Sequence, residues 1–254
     1  MVDLSGKTVL VTGASKGIGA AIASTLGAAG ARVIAHYGTD RQGAEEATAK
    51  IANDRKLLLS ANLTDPNSVA HLWKQAHEWQ GRVDVVIVNA AIMRHASIND
   101  TDEDWDAAWN EMLNVNVLAA ANLVRHSLRS FLKEEGGIII GLSSWAAQRG
   151  AMNPDLAAYS ASKAAFAAML KTIARAHSVD NVLSFLVAPG VVSTDMSVRA
   201  AQSNGGLDAV TNSLAMREWV PPQELAELIT FLASGTVRHL SGATIDVNGA
   251  SYIR

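Results

Sequence analysis

The chain is predicted to fold as an α/β protein, a Rossmann-type doubly wound parallel sheet of about seven strands with helices on both faces. Segments of strand and helix character alternate from end to end. Most strand segments, such as Val83–Asn89, are nearly continuous apolar runs, whereas a sheet with one wet face would alternate. A glycine-rich turn, Thr12 to Gly19, separates the first strand from the first helix.

The elements follow in order. Lys7–Thr12 is a short β-branched strand ending at Gly13. Ala20–Ala29 is an Ala-rich helix with Gly30 as its stop. Ala31–Tyr37 is a strand and Gln42–Ala52 a polar-faced helix; Lys56–Ala61 is the third strand. Asp65-Pro66 opens a helix to about Trp79, with Pro in its first turn. After the fourth strand, Val83–Asn89, comes Glu103–Leu132, a helical stretch long enough to be bent or broken. Gly137–Leu142 is the fifth strand, Asp155–His177 a helix, and Val182–Val187 the sixth strand. Thr194–Met216 is small, polar and glycine-bearing, and is expected to be a mobile insertion with helical pieces. Pro222–Ser234 is an amphipathic helix and Ala243–Val247 the last strand. No linker, composition shift or repeat divides the chain, so one domain over 1–254 is expected.

Composition excludes several chemistries. With 49% hydrophobic and 18% charged residues, the chain can bury a full core. A formal net charge of −3 offers no electrostatic reason to bind nucleic acid or an anionic membrane. The sequence has no cysteine, so disulfides, thiolate catalysis and Cys-based metal sites are out. The seven histidines lack metal-ligand spacing, and no metal is expected. No apolar run is long enough to span a bilayer and the first residues hold no signal core, so a cytoplasmic location is expected.

Two stretches carry candidate chemistry. Glycines between a first strand and a first helix permit a tight turn and let backbone N–H groups reach a pyrophosphate at the helix N-terminus. Here the spacing is Thr12-Gly13-Ala14-Ser15-Lys16-Gly17-Ile18-Gly19. Tyr159 and Lys163 lie four apart on a predicted helix and share a face. A cation beside a phenol favours phenolate, so Lys163 is expected to lower the Tyr159 pKa.

In these motifs the chain resembles a short-chain dehydrogenase/reductase of the single-domain, 3-oxoacyl-reductase-like kind, over Lys7 to Ile253. The Thr-Gly-x-x-x-Gly-x-Gly pattern falls on Thr12–Gly19 and the Tyr-x-x-x-Lys pair on Tyr159 and Lys163. An upstream catalytic Ser falls on Ser144, and an Asn at the start of the long helix on Asn116. A Pro-Gly-x-x-x-Thr stretch runs from Pro189 to Thr194. The resemblance implies that Tyr159 moves the proton and that Lys163 tunes it and holds the nicotinamide ribose. It further implies that Asn116 positions a water and Ser144 orients the substrate oxygen. Cofactor contacts are implied at Gly13, Ser15, Lys16, Gly17, Ile18 and Gly19; at Tyr37, Gly38 and Thr39; at Asn62 and Leu63; at Asn89, Ala90 and Ala91; and at Pro189, Gly190, Val192 and Thr194. Two positions depart from the family pattern: Ala91 stands where a Gly is usual, and Asn62 where an Asp is usual.

At the end of the second strand the acidic residue that would bond a ribose 2′-OH falls on Tyr37, while Lys16, Thr39 and Arg41 stand nearby. NADP(H) is therefore expected over NAD(H), with Asp40 placed one residue past the contact point. The segment from Ser144 to Tyr159 carries Trp145 and Met152, which with Met196 are expected to line the substrate pocket. The expected activity interconverts a ketone and a secondary alcohol of 3-oxoacyl-thioester, sugar-like or cyclic type. The competing readings are an NADP(H)-binding regulatory protein and a non-redox epimerase or dehydratase. Ala-rich helix faces, together with the resemblance, imply a homotetramer.

Overall fold

The computed structural model describes residues 2–254. Seven parallel strands form one sheet: β1 (Thr8–Val11), β2 (Arg32–Tyr37), β3 (Lys56–Ser60), β4 (Val85–Val88), β5 (Gly137–Leu142), β6 (Val182–Pro189) and β7 (Thr244–Val247). Their spatial order is β3-β2-β1-β4-β5-β6-β7, the doubly wound arrangement in which the chain reverses direction across the sheet between β1 and β4. The helices are α1 (Gly17–Ala28), α2 (Arg41–Ala47), α3 (Pro66–Gln80), α4 (Asp102–Leu113), α5 (Ala120–Phe131), α6 (Ala146–Arg149), α7 (Ala157–His177), α8 (Asp195–Gln202), α9 (Leu207–Ser213) and α10 (Pro222–Ser234).

The unbroken apolar strands have a direct cause, since side chains alternate between two faces and both are covered. Val9, Val11 and Ile87 join Ile22 and Leu26 of α1 and Ile229 of α10 in one core. Leu10, Val86 and Ile139 join Leu72 of α3, Leu123 of α5 and Phe166 and Leu170 of α7 in the other. No described helix is long and apolar enough to cross a membrane.

Three segments gain detail that the sequence pattern lacks. Glu103–Leu132 is not one helix: α4 runs into a π-helical segment, Asn114–Ala119, before α5 begins. Asn116 therefore lies in mid-helix, not at a helix start. Its amide holds both backbone groups of Ile92, accepting from N–H at 2.8 Å and donating to C=O at 2.9 Å. Such π-helical turns inside α-helices are frequent at functional sites. The helix expected over Gln42–Ala52 stops at Ala47, and the chain turns so that Ile51 is buried where Gly27 leaves room for it. The stretch Thr194–Met216 contains two short helices, α8 and α9, parted by Gly205 and Gly206 at φ +86 and +91. Only glycine adopts such angles without strain.

α7 carries Tyr159 and Lys163, and it seats on β5 at Gly141. A Cβ there would overlap Leu170 Cδ1 and come within 2.7 Å of Phe166 Cε1. Gly141→Ala is expected to cost about 1–3 kcal/mol by overpacking, read as a lower midpoint in urea unfolding. An unchanged midpoint would show that α7 can ride up without loss.

Candidate active site

The crevice at a doubly wound sheet's switch point lies beyond the carboxyl ends of the strands, here above β1 and β4. Thr12 and Asn89, the residues that follow those strands, are tied together. The Thr12 hydroxyl donates to Ile87 O at 3.2 Å and accepts from Asn89 N and Ala90 N at 3.0 and 3.1 Å. The Asn89 amide donates to Thr12 O at 2.9 Å and to Gly13 O at 3.2 Å. Every hydrogen-bonding role of the Thr12 hydroxyl is thus filled, and the glycine turn starts from a fixed base.

The turn is shaped for close approach. Gly13 and Gly17 have φ +67 and +54. A Cβ on Gly19 would overlap Gly13 O and lie 2.6 Å from Asn89 Nδ2, so the third glycine lets α1 pack onto the turn. A Cβ on Gly17 would meet Thr194 Cγ2 at 3.2 Å, which places Thr194 across the cleft from the turn. The N-cap of α1, Lys16, makes no side-chain cap bond and no acidic residue lies in the first turn. The first-turn amides therefore have no anionic or hydroxyl partner from the chain, an arrangement suited to a phosphate. This is the fit expected for a dinucleotide pyrophosphate.

At the carboxyl end of β2, Tyr37 is buried while Gly38 and Thr39 are exposed. Asp40 is occupied elsewhere, accepting from Gly43 N at 2.9 Å as the N-cap of α2. Arg41 pairs with Glu45 at 2.8 Å, and Glu45 first and Tyr37 second hold its pKa above the ordinary arginine value. The Asn62 side-chain oxygen accepts from Thr64 N and Thr64 Oγ1 at 3.0 and 2.8 Å. That leaves Asn62 Nδ2 as a donor facing outward, where an Asp would offer acceptors. Leu63 packs against the second core, and Ala90 and Ala91 are half-buried beyond Asn89.

The chemical end is built from β5, β6 and α7. Ser144 follows β5 and is buried; its Oγ accepts from Ala146 N at 3.1 Å and keeps its proton to donate. Lys163 is buried too, and Nζ donates to Leu142 O at 2.8 Å, tying α7 to the strand end that carries Ser144. Nζ also lies 5.9 Å from the Tyr159 ring centroid. Without a bound cofactor, Lys163 alone does not lower Tyr159. Burial pushes its pKa up to about 12, with the Ser144 hydroxyl pulling weakly the other way. Burial likewise pushes Lys163 down to about 8. The Tyr159 ring is half-buried overall, but its hydroxyl end is enclosed, and desolvation outweighs a cation at that range.

Asn116 joins this group through a residue not singled out from sequence, Ser162. Asn116 Nδ2 donates to Ser162 Oγ at 3.0 Å, and Ser162 Oγ donates to Tyr159 O at 2.7 Å. The Asn116 side chain is thereby committed to Ile92 and Ser162, so a water held for Lys163 would have to use its backbone. A small residue inside a Tyr-x-x-x-Lys pair gives no sequence sign of such a role. His36 is a second omission: its ring contacts Gly13 N and Ala61 O, and a buried His at a strand end was its only signal.

Pro189 is buried at the end of β6, and its carbonyl accepts from Trp145 N at 3.0 Å. A Cβ on Gly190 would sit 3.4 Å from Trp145 Cε3, so the indole lies beside the Pro189-Gly190 turn. Val192 is buried and bridges to Val220, while Thr194 caps α8. Of the expected pocket residues, Trp145 is half-buried under the Arg149 guanidinium at 4.0 Å, and Met196 is half-buried on α8. Met152 is 83% exposed, so the structure does not bring it into an enclosed pocket. Among the described residues no group of three or more His, Asp or Glu is placed to hold a metal.

Comparison with known proteins agrees with this architecture. Residues 13–250 match the family model described as enoyl-(acyl carrier protein) reductase. The chain is 33% identical to the 3-oxoacyl-acyl-carrier-protein reductase FabG of Escherichia coli K12 over 254 residues, covering 99% of this chain and 100% of that protein. It is 31% identical to the versicolorin reductase stcU of Emericella nidulans, covering 98% and 97%. A crystal structure of a dehydrogenase/reductase from Sinorhizobium meliloti 1021 superposes with TM-score 0.88 at 29% identity, covering 99% of this chain and 97% of that one. With the glycine turn, the doubly wound order and the Ser144, Tyr159 and Lys163 cluster in one crevice, the chain belongs to the short-chain dehydrogenase/reductase family and is an enzyme of its 3-oxoacyl-reductase-like type.

Proposed function

We propose that this single-domain enzyme uses NADP(H) to interconvert a ketone and a secondary alcohol, with Tyr159 as the proton donor and acceptor. The carrying observation is the grouping of three side chains at the carboxyl end of β5: Ser144 and Lys163 are both buried, the Ser144 hydroxyl acts on the Tyr159 hydroxyl, and Lys163 Nζ lies 5.9 Å from the Tyr159 ring. When bound, the nicotinamide supplies or accepts the hydride. The chain's own residues have three tasks. Ser144 donates a hydrogen bond to the substrate oxygen and strengthens it as negative charge develops. Tyr159, protonated at neutral pH because burial holds its pKa near 12, delivers its proton to that oxygen in the reducing direction. Lys163, still largely charged at pH 7 with a pKa of about 8, keeps a cation beside the phenolate left behind.

Preference for NADP(H) is supported by the absence of a carboxylate at Tyr37, by Asp40 being turned into a helix cap, and by exposed Lys16 and Arg41 on either side of the ribose position. A 2′-phosphate would share Arg41 with Glu45. Among ketones, 3-oxoacyl thioesters are favoured first, by analogy with the relatives named above. Assembly as a homotetramer through α4, α5 and α7 is consistent with Leu118 standing 55% exposed between α4 and α5, and a cytoplasmic location fits these tasks.

Tyr159→Phe is expected to lower kcat by about 10²–10⁴-fold while the NADPH dissociation constant stays within about two-fold. Retained turnover would end the acid/base assignment. Consumption of NADPH over a ketone panel should show a KM about ten-fold or more below that for NADH, as expected for a phosphate met by charged donors; the reverse order would reject the cofactor preference.

Lys163 also yields a stability prediction. Its folded pKa is below its unfolded one, so between about pH 8 and 10.5 the unfolded chain binds more protons and wild-type stability rises with pH. Tyr159, raised from 10.0, opposes this only above pH 10. Lys163→Met is expected to be inactive yet more stable than wild type at pH 7 by about 1–3 kcal/mol, after allowing for the lost bond to Leu142. The advantage should shrink as pH rises through that window in urea titrations; a constant difference would contradict the buried-charge account.

A further inference from the structure

We infer that His36 is a positioning residue for the cofactor, holding the glycine turn in its binding-competent shape from beneath. The inference rests on the reading of that turn as the dinucleotide site. His36 is the penultimate residue of β2 and is 2% exposed. It engages two consecutive amides of the turn. Its ring Nδ1 takes the Gly13 N–H at 3.1 Å, and its main-chain carbonyl takes the Ala14 N–H at 2.8 Å. The other ring nitrogen, Nε2, lies 3.1 Å from Ala61 O. Because Gly13 N can only donate, Nδ1 must accept, which puts the proton on Nε2 and directs it to Ala61 O. The ring is therefore neutral and has one usable tautomer, in keeping with the burial that lowers its pKa.

The placement has a consequence for binding. Gly13 sits at φ +67, and its N–H points inward, away from any phosphate. With Gly13 and Ala14 held from below, the turn can present its later amides, at the start of α1, to the ligand. Ala61 immediately precedes Asn62 and Leu63. One imidazole thus links the pyrophosphate turn to the loop expected beside the adenine. Loss of the Gly13 bond would leave a part-buried N–H without an acceptor and let the turn relax before the cofactor arrives.

Three substitutions separate positioning from simple packing. His36→Asn places an amide oxygen near the Nδ1 position and can keep the Gly13 bond but not the Ala61 bond. His36→Gln reaches toward Ala61 but puts no acceptor at Gly13. His36→Leu keeps bulk and loses both. Dissociation constants for NADPH and for 2′-phospho-ADP-ribose would be measured with each, beside thermal midpoints and kcat at saturating NADPH. The expected order of affinity is wild type, then Asn, then Gln and Leu together about ten-fold weaker. The same factor is expected for 2′-phospho-ADP-ribose, which lacks the nicotinamide, and kcat at saturation should hold within about two-fold. Affinity that follows the thermal midpoint whichever atom is placed at Nδ1, or a Gln variant binding as well as Asn, overturns the inference. If Leu does not fold, the Asn–Gln comparison still decides. Wild type failing to bind either nucleotide would instead remove the cofactor reading itself, a different and separable result.

Discussion

The hydrogen-bond knot between Thr12 and Asn89 is the constraint on which the rest of the site depends. A doubly wound sheet opens a crevice where neighbouring strands send their chains to opposite faces, and an opening of that kind leaves strand-end backbone groups without partners. Here one hydroxyl and one amide, contributed by β1 and β4, satisfy them. The glycine turn springs from this knot, and Gly19 lets α1 pack so closely that Asn89 Nδ2 touches the space a Cβ would need. Cofactor geometry and sheet geometry are set by the same few bonds.

A second tie couples the Ser144 and Tyr159 end of the crevice to the sheet. Lys163 does not reach out of α7 into solvent; it reaches down to Leu142 O, one residue from the Gly141 on which α7 rests and two from Ser144. Helix, strand end and Ser144 are thereby registered against one another. The arrangement keeps an ammonium in a buried place with a single protein acceptor, a stability cost that the proposed role of Lys163 would explain.

Periodicity and glycine placement made the fold readable because both faces of the sheet are covered, which writes itself into the chain as unbroken Val and Ile runs. Gly137–Leu142 and Pro222–Ser234 coincide with β5 and α10 to the residue. The π-helical form of the break could not be read, since the segment holds Asn116 on Ile92, a contact 24 positions away in the chain. Ser162 and His36 were missed for a related reason. Each works through a hydrogen bond to a backbone atom made adjacent only by the tertiary fold, and a residue type alone carries no record of such a partner. The i,i+4 spacing reports proximity of Tyr159 to Lys163, whereas enclosure of the hydroxyl, which raises the phenol when no cofactor is bound, is a property of the packed crevice.

That enclosure sharpens the chemistry. Burial acts on Tyr159 and Lys163 in the same sense, favouring the uncharged form of each, so the protein alone biases the pair toward a protonated phenol. A protonated phenol beside a cation is an acid prepared to meet an alkoxide. The same phenol becomes a competent base only when further positive charge enters the crevice, and a cationic ligand ring is the one source the proposed reaction supplies. Proton affinity at Tyr159 and occupancy of the glycine-turn site are thus linked quantities: a cofactor whose cationic ring lowers the first must itself bind more tightly, by the same free energy, when the phenol is ionised.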